Sequence, residues 1–275
     1  MKIYKTILPA ALCAVSAACV QTGFDEARPN TLSDREKSEG YVLLFDGETL
    51  PVEHWVGVKG GLKSFPTNGW FVKDGSLGRR PTREITPEGK TVPLPAAVAA
   101  LGGGGDIVTV GKYRDFVFKF EFRLTPKANS GVKYFFDERF DRGTCEEYQV
   151  LDPGHPDYYK GRNGNRKVGA LYDLIPAPLA EKAIKPCGEW NSGKLVVKGD
   201  RVEHWLNGVK VLEYRRGSDD FRKAVDISKY AKWGAGADGS ARRWGENAEG
   251  RIMLQDHADS MVYFRSLKIR DLSAR

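Results

Sequence analysis

The sequence predicts an all-β protein built as a two-sheet sandwich with one short helix. Three observations predict it. Apolar and polar residues alternate with period two through most of the chain. The alternation is cleanest from Arg114 to Leu124, where Phe116, Phe118, Phe120 and Phe122 fall on one face and Val117, Lys119, Glu121 and Arg123 on the other. Turn signals punctuate the strands at Asp46-Gly47, Asp74-Gly75, Gly199-Asp200 and Asn207-Gly208. Ser218, followed by Asp219 and Asp220, carries the N-cap and acidic first turn of a helix that runs to about Lys229.

Taken from the N-terminus, Lys2 and Lys5 precede an apolar run, Ile7 to Val15, and then Ser16-Ala17-Ala18-Cys19. This is the pattern of a secretory signal over residues 1–18, too short to span a bilayer as a helix. Cleavage before Cys19 would leave a lipid-anchored protein, although Ser16 replaces the usual leucine, so plain secretion stays open. Residues 19–39 are polar and mixed, as in a flexible tether. A single domain is expected over 40–272, with strands at Tyr41 to Phe45, Trp70 to Val72, Asp106 to Val110 and Arg114 to Leu124. Further strands are expected at Gly131 to Phe136, Cys145 to Asp152, Trp190 to Lys198, Arg201 to Asn207, Val209 to Tyr214, Arg251 to Gln255 and Met261 to Ile269. Pro81 to Gly105 and Pro153 to Lys167 read as long loops, which in a small β domain often carry function.

The formal charge is +7, but the basic residues are scattered, and export also argues against nucleic-acid binding. Cys145 and Cys187 could form a disulfide in an oxidising compartment or remain two buried thiols; their spacing is too wide for a CxxC metal motif. No GxSxG, P-loop or Rossmann fingerprint is present.

The strand Cys145-Glu146-Glu147-Tyr148-Gln149-Val150-Leu151-Asp152 puts Glu147, Gln149 and Leu151 on one face and Glu146, Tyr148 and Val150 on the other. Arg251 to His257 repeats the device: Gln255 and His257 share a face opposite Ile252 and Leu254. Neither is an ordinary core strand. Two strands that each present an ionisable group and a glutamine suggest a carbohydrate cleft.

Seven motifs then occur in order: Leu44-Phe45-Asp46-Gly47, Asn129-Ser130-Gly131-Val132-Lys133-Tyr134-Phe135, Glu147-Tyr148-Gln149-Val150-Leu151-Asp152, Gly169-Ala170-Leu171-Tyr172-Asp173, Gly188-Glu189-Trp190-Asn191, His204-Trp205-Leu206-Asn207-Gly208 and Leu254-Gln255-Asp256-His257. Over roughly residues 40 to 272 the chain resembles the 3-keto-disaccharide hydrolase domain family. Ala258, where a glycine usually follows the Gln-Asp-His motif, and Ser266, where an asparagine is common, depart from its pattern. The resemblance implies a jelly-roll fold like that of concanavalin A, with the site on the concave sheet. It also implies an exported bacterial protein acting on 3-keto-glycosides, in some members as a 1,2-lyase. The carbonyl must come from a separate sugar oxidoreductase, since this chain has no visible nicotinamide site.

A ketone at C3 acidifies the C2 proton. Removing that proton and expelling the C1 substituent requires a base, an electrophile for the oxyanion and an acid at the leaving oxygen. Glu147 and His257 are the candidate base and acid, with their roles unassigned; otherwise Glu147 is a surface or salt-bridged strand glutamate and His257 a structural histidine. Lys133, on the strand face of Gly131 and Phe135, would hold the enolate oxygen or act as base; otherwise it is a solvated strand lysine. Gln149, Asp152, Asn191 and Gln255 would bind hydroxyls; Tyr172 and Trp190 would stack on the sugar, unless Trp190 is plain core; and His155 would close over it or ligate a metal, unless it is simply an exposed loop histidine. No cofactor is certain. A divalent cation is an option that Glu147, Asp152, His155 and His257 could serve, but no compact ligand motif fixes it. His204 alternates with Val202 and Leu206 and is expected to pack structurally, and His54 carries no signal. The rivals are a conventional glycoside hydrolase, whose paired-carboxylate signature is absent, and a non-catalytic carbohydrate-binding module.

Overall fold

The structure is a computed structural model and describes residues 28–139, 145–231 and 244–273. In chain order its elements are α1 (Asp34–Ser38), β1 (Val42–Leu43), β2 (Trp55–Gly57), β3 (Trp70–Lys73), β4 (Ser76–Arg79), β5 (Arg83–Ile85), β6 (Thr91–Pro93), α2 (Ala96–Ala99), β7 (Ile107–Thr109), β8 (Phe116–Leu124), β9 (Asn129–Phe136), β10 (Glu146–Leu151), α3 (Ala180–Ala183), β11 (Trp190–Lys198), β12 (Arg201–Leu206), β13 (Val209–Arg215), α4 (Asp219–Asp226), β14 (Arg251–Leu254) and β15 (Val262–Asp271).

They form a two-sheet antiparallel jelly-roll sandwich. The large sheet runs β13-β12-β11-β8-β15-β4-β3, with β1 also paired to β15; the smaller runs β10-β9-β14-β7-β2. β8 lies at the centre of the large sheet, and Phe116, Phe118, Phe120 and Phe122 are all fully buried beneath it. Across the core Phe120 meets Tyr148 of β10 edge to face at 5.4 Å. Such pairs prefer this geometry because ring edges are positive and faces negative. In the core, His204 Nδ1 contacts Gly169 O at 2.8 Å and its Nε2 contacts Tyr134 Oη at 2.8 Å. Burial lowers the imidazole's pKa to about 4. His204 is therefore structural, as its alternation implies.

The small sheet turns its main apolar cluster inward, while its outer face mixes Lys133 and Glu147 with a smaller apolar cluster, and β9 is broken where the two meet. Phe135 is left-handed, with φ 60, an uncommon state for a bulky residue. Tyr134 and Phe135 thus both join the main core. Phe136 turns outward to pack with Val56, Val108, Cys145 and Met253. The neighbouring Gly250 has no room for a side chain, since a Cβ there would stand 2.2 Å from the Phe135 carbonyl carbon.

Several expectations need correction. Among the described residues four short helices occur rather than one; α4 is the expected one, capped by Ser218. Pro81 to Gly105 is more than a loop, since it holds the ribbon β5-β6 and helix α2. Of the expected tether, residues 28–39 are docked on the large sheet, and 19–27 lie outside the described residues. Asn30 exchanges hydrogen bonds with Ser266 and donates to Gly75 O. Glu36, in a capping box with Ser33, binds Lys119 at 2.8 Å and Lys268 at 2.7 Å. The signal segment, 1–18, lies outside the described residues. Cys145 is buried and Cys187 is exposed, and no disulfide joins them.

Candidate active site

Antiparallel pairing of β9 with β10 sets Glu147 opposite Lys133 and Gln149 opposite Gly131. β14 continues the face, with Met253 opposite Lys133 on one side and Val108 of β7 on the other. Lys133 and Glu147 are only 6% and 4% exposed, so their charges are largely removed from water. Gly131 makes this possible. Its missing side chain leaves the space that the Glu147 carboxylate fills, and a Cβ would come within 2.1 Å of Oε1. With its amide oriented to satisfy its neighbours, Gln149 Nε2 donates to Ser130 O at 3.0 Å and to Glu147 Oε1 at 3.1 Å.

Burial pushes the Glu147 carboxyl above its usual pKa, against the pull of Lys133, Lys229 and His257. Asp106 is raised for the same reason, against Lys133. Burial would lower the Lys133 ammonium, but Glu147 and Asp106 outweigh it and hold the pKa above the ordinary lysine value. The centre is therefore a cation between two carboxylic groups, at least one of which retains its proton more readily than a surface acid does.

Beyond β14, His257 Nδ1 lies 2.6 Å from Asp259 Oδ1, and its Nε2 lies 3.2 Å from Asn129 Nδ2. A carboxylate only accepts, so Nδ1 carries the hydrogen and Nε2 presents its lone pair. His155 is fixed the other way: its Nδ1 accepts from Asp157 N at 3.0 Å, and its Nε2 is 3.7 Å from Asp259 Oδ2. Asp259 thus stands between two imidazoles whose rings are 6.3 Å apart. Burial acts to raise its pKa, yet the two histidines hold it well below the carboxylate range. The Gln255 side-chain oxygen is buried without a hydrogen-bond partner, a position that a ligand hydroxyl would satisfy.

Tyr172 borders the centre. Its backbone N–H donates to Glu147 O at 3.0 Å, Lys229 Nζ lies 4.1 Å from its ring centroid, and burial together with Glu147 pushes its hydroxyl up to about 12. Burial lowers the Lys229 ammonium, a tendency opposed by Glu147 and Asp173.

The structure thus gathers Glu147, Lys133, Gln149, Tyr172, His257, His155 and Gln255 around one face. Three sequence candidates do other work. Asp152 accepts from Lys127 N at 2.6 Å and from the Cys187 thiol at 3.0 Å, so it staples loops together. Asn191 is buried in the large sheet, where its Oδ1 accepts from Lys185 N and Asn207 Nδ2, each at 2.8 Å. Trp190 lies on the outer face of the large sheet, under Arg123 and Arg265, because it is one residue out of phase with the core-facing Asn191. The four residues considered for a cation do not converge. Among the described residues no group of three or more His, Cys, Asp or Glu side chains could hold a metal ion.

Sequence reasoning missed Asp106, Asn129, Lys229 and Asp259. Asp259 had a readable signal, two residues beyond His257 in Asp256-His257-Ala258-Asp259. Lys229 had none, since it only ends the segment after α4.

Residues 40–270 match the family described as the 3-keto-alpha-glucoside-1,2-lyase-like domain. The chain belongs to this family. A relative from Bacteroides thetaiotaomicron named 3-keto-disaccharide hydrolase is 31% identical over 250 residues, covering 86% of this chain and 79% of its own. Among solved structures, a Parabacteroides distasonis protein assigned provisionally as a glycosyl hydrolase matches with TM-score 0.66 and 29% identity, over 89% of this chain and all (100%) of its own. A second protein from that organism, with the same provisional assignment, matches with TM-score 0.50 and 26% identity, over 74% and 90% of the two chains. Family membership fits a glycoside-acting enzyme, and the buried Lys133–Glu147 face gathers most of the ionisable candidates.

Proposed function

We propose that the protein cleaves 3-keto-glycosides by removing the C2 proton and expelling the C1 substituent, followed by hydration. The observation that carries this reading is one sheet face holding three kinds of group: a lysine cation, a carboxyl inclined to keep its proton, and an imidazole whose lone-pair nitrogen is set by a carboxylate. Family membership and the name of the Bacteroides relative support the substrate class.

In this reading His257 Nε2, turned from Asn129 to the sugar, takes the C2 proton, and Asp259 stabilises the imidazolium that results. The electron pair of the C–H bond forms the C2–C3 double bond, and the former ketone oxygen becomes an enolate held by the Lys133 ammonium. The enolate then re-forms the ketone, the C1–C2 double bond forms, and the C1–O bond breaks. Glu147 gives its proton to the departing oxygen. Water adds across C1–C2 to give the free 3-keto sugar. A general acid and base typically contribute about 10²–10⁴-fold each.

Residues 1–19 support export to the periplasm, or attachment to the outer membrane through a lipid on Cys19. Palmitate labelling that disappears in Cys19→Ser would support the lipid, and unlabelled wild type would exclude it. A separate oxidoreductase would supply the ketone.

The decisive assay offers aryl 3-keto-glucosides of both anomeric forms, and their unoxidised counterparts, to the mature protein in D2O, with the uncatalysed rate subtracted. Elimination and hydration place solvent deuterium at C2 at the earliest times; direct hydrolysis leaves C2 protonated. Turnover of the plain glucoside would instead indicate a conventional hydrolase, and saturable binding without turnover a carbohydrate-binding module.

A further inference from the structure

On the outer face of the large sheet, away from Lys133, strand register lines up five residues from five neighbouring strands. Phe71 of β3 is opposite Gly78 of β4, Gly78 is opposite Tyr263 of β15, Tyr263 is opposite Arg123 of β8, and Arg123 is opposite Trp190 of β11. Four strand spacings make this row about 19 Å long. Gly78 lets Phe71 lie flat across β4, since a Cβ there would meet the ring at 2.6 Å. Phe71 meets Tyr263 edge-on at 6.2 Å.

Guanidinium groups stack along the row. Arg80 is 4.6 Å from the Phe71 centroid, Arg123 is 4.7 Å from Tyr263 and 5.0 Å from Trp190, and Arg265 is 4.1 Å from Trp190. Arg265 is bound to Glu121 at 2.8 Å. Among the described residues Arg80 and Arg123 have no carboxylate partner, so their planar N–H donors remain available at the surface. Beside Phe71 and Tyr263 a pocket of about 410 Å³ is completed by Val72, Lys73, Arg80 and Met261, with no acidic group in its wall.

The geometry points to this row as a second carbohydrate-binding surface, for a uronate-bearing polysaccharide. Aromatic surface suits the C–H faces of pyranose rings, and guanidinium forks suit carboxylates bidentately. Alternating the two along one line matches a chain that carries a carboxylate at regular intervals. Along the row Arg80 and Arg123 are not neutralised as Arg265 is by Glu121, which favours an anionic glycan over a neutral one. This surface does not depend on the chemistry assigned to Lys133 and Glu147, and it would hold the protein on a matrix while the opposite face works.

The test is affinity electrophoresis of the mature protein through gels containing polygalacturonate, with dextran as the neutral control and vesicles of anionic phospholipid assayed beside them. Polygalacturonate is expected to retard the wild type, with retardation lost in 0.5 M NaCl. Arg80→Ala and Arg123→Ala together should weaken binding at least tenfold, as should Lys73→Glu at an exposed position that places no demand on folding. Glu147→Gln should bind normally. Absence of retardation, equal retardation by dextran, retardation unchanged in both variants, or stronger partitioning onto vesicles than onto the glycan would overturn the assignment.

Discussion

The Glu147 carboxylate occupies the space that a side chain at Gly131 would take, with Oε1 only 2.1 Å from the position of that missing Cβ. The two strands are paired one step apart, Glu147 on Lys133 and Gln149 on Gly131, so the carboxylate leans diagonally across the ladder. Gly131→Ala should move Glu147 without removing it. A displacement of about 1 Å can cost on the order of 10² in rate. The expected result is a loss of about that size in kcat with an unchanged far-UV spectrum; full activity would show that Glu147 has no fixed position in the reaction.

Asp259→Asn should damage turnover more than binding. The amide cannot hold Nδ1–H of His257 against a charge or stabilise the imidazolium, and losses of about 10²–10⁴ in kcat accompany such changes elsewhere. Nitrogen NMR should find His257 protonated on Nδ1 in the wild type and a mixture of tautomers in the variant. An unaltered tautomer with reduced activity would count against this role.

Lys133→Met would leave Glu147 and Asp106 buried without their cation. Removing the cation beside a buried carboxylate costs up to about 3–5 kcal/mol, and less where the carboxyl takes up a proton instead. The midpoint of denaturant unfolding should fall accordingly, and adding Glu147→Gln should restore part of it. Neither protein should turn over a 3-keto-glycoside. A double variant no more stable than the single one would separate the two side chains energetically.

The core histidine sets an acid limit on stability. His204 is held neutral, with its pKa lowered from 6.5 to about 4. The unfolded chain therefore takes up a proton, as pH falls from about 6.5 to about 4, that the folded protein refuses. Stability falls through that window by about 3 kcal/mol, at 1.36 kcal/mol for each pH unit between the two values. His204→Gln should be less stable at pH 7 but lose less on acidification, as read from thermal midpoints between pH 4 and 7.

Removing residues before Gly40 would take away Glu36, which bridges Lys119 and Lys268, and Asn30, which bonds both Ser266 and Gly75. Ser266 is left-handed, with φ 51, at the irregularity between Arg265 and Lys268. Without its two bonds to Asn30 that turn has less to hold it. A protein beginning at Gly40 should melt several degrees lower than one beginning at Arg28; equal midpoints would make this segment a tether after all.

The sandwich was legible because burial on one face of a strand writes itself as alternation, and Phe116 to Phe122 carry that signal without interruption. Strands of three or four residues such as β2, β4, β5 and β6 are too short for a period to emerge. Glu147, Lys133 and His257 could be found because ionisable groups stood where a strand should be apolar. Trp190 misled because a sequence shows that two residues face opposite ways but not which sheet they belong to. Asp106 and Lys229 reach the centre only through tertiary packing, from a strand edge and a helix end with no pattern of their own.

The excursion from Pro81 to Gly105 lies outside the sandwich, yet it holds the segment that carries His257. Thr82 N and Arg83 N both bond Ala258 O, Gly105 N bonds Asp256 Oδ2, and Asp256 N bonds Asp106 Oδ1. Arg79, just before the excursion, pairs with Asp256 and donates to Ser260 O. Residues 79–106 and 255–260 thus form one inheritable module, although some 150 residues of sequence separate them. Chimeras between relatives that exchange one part without the other would carry a correct sandwich and a misdirected imidazole; both must be transplanted together.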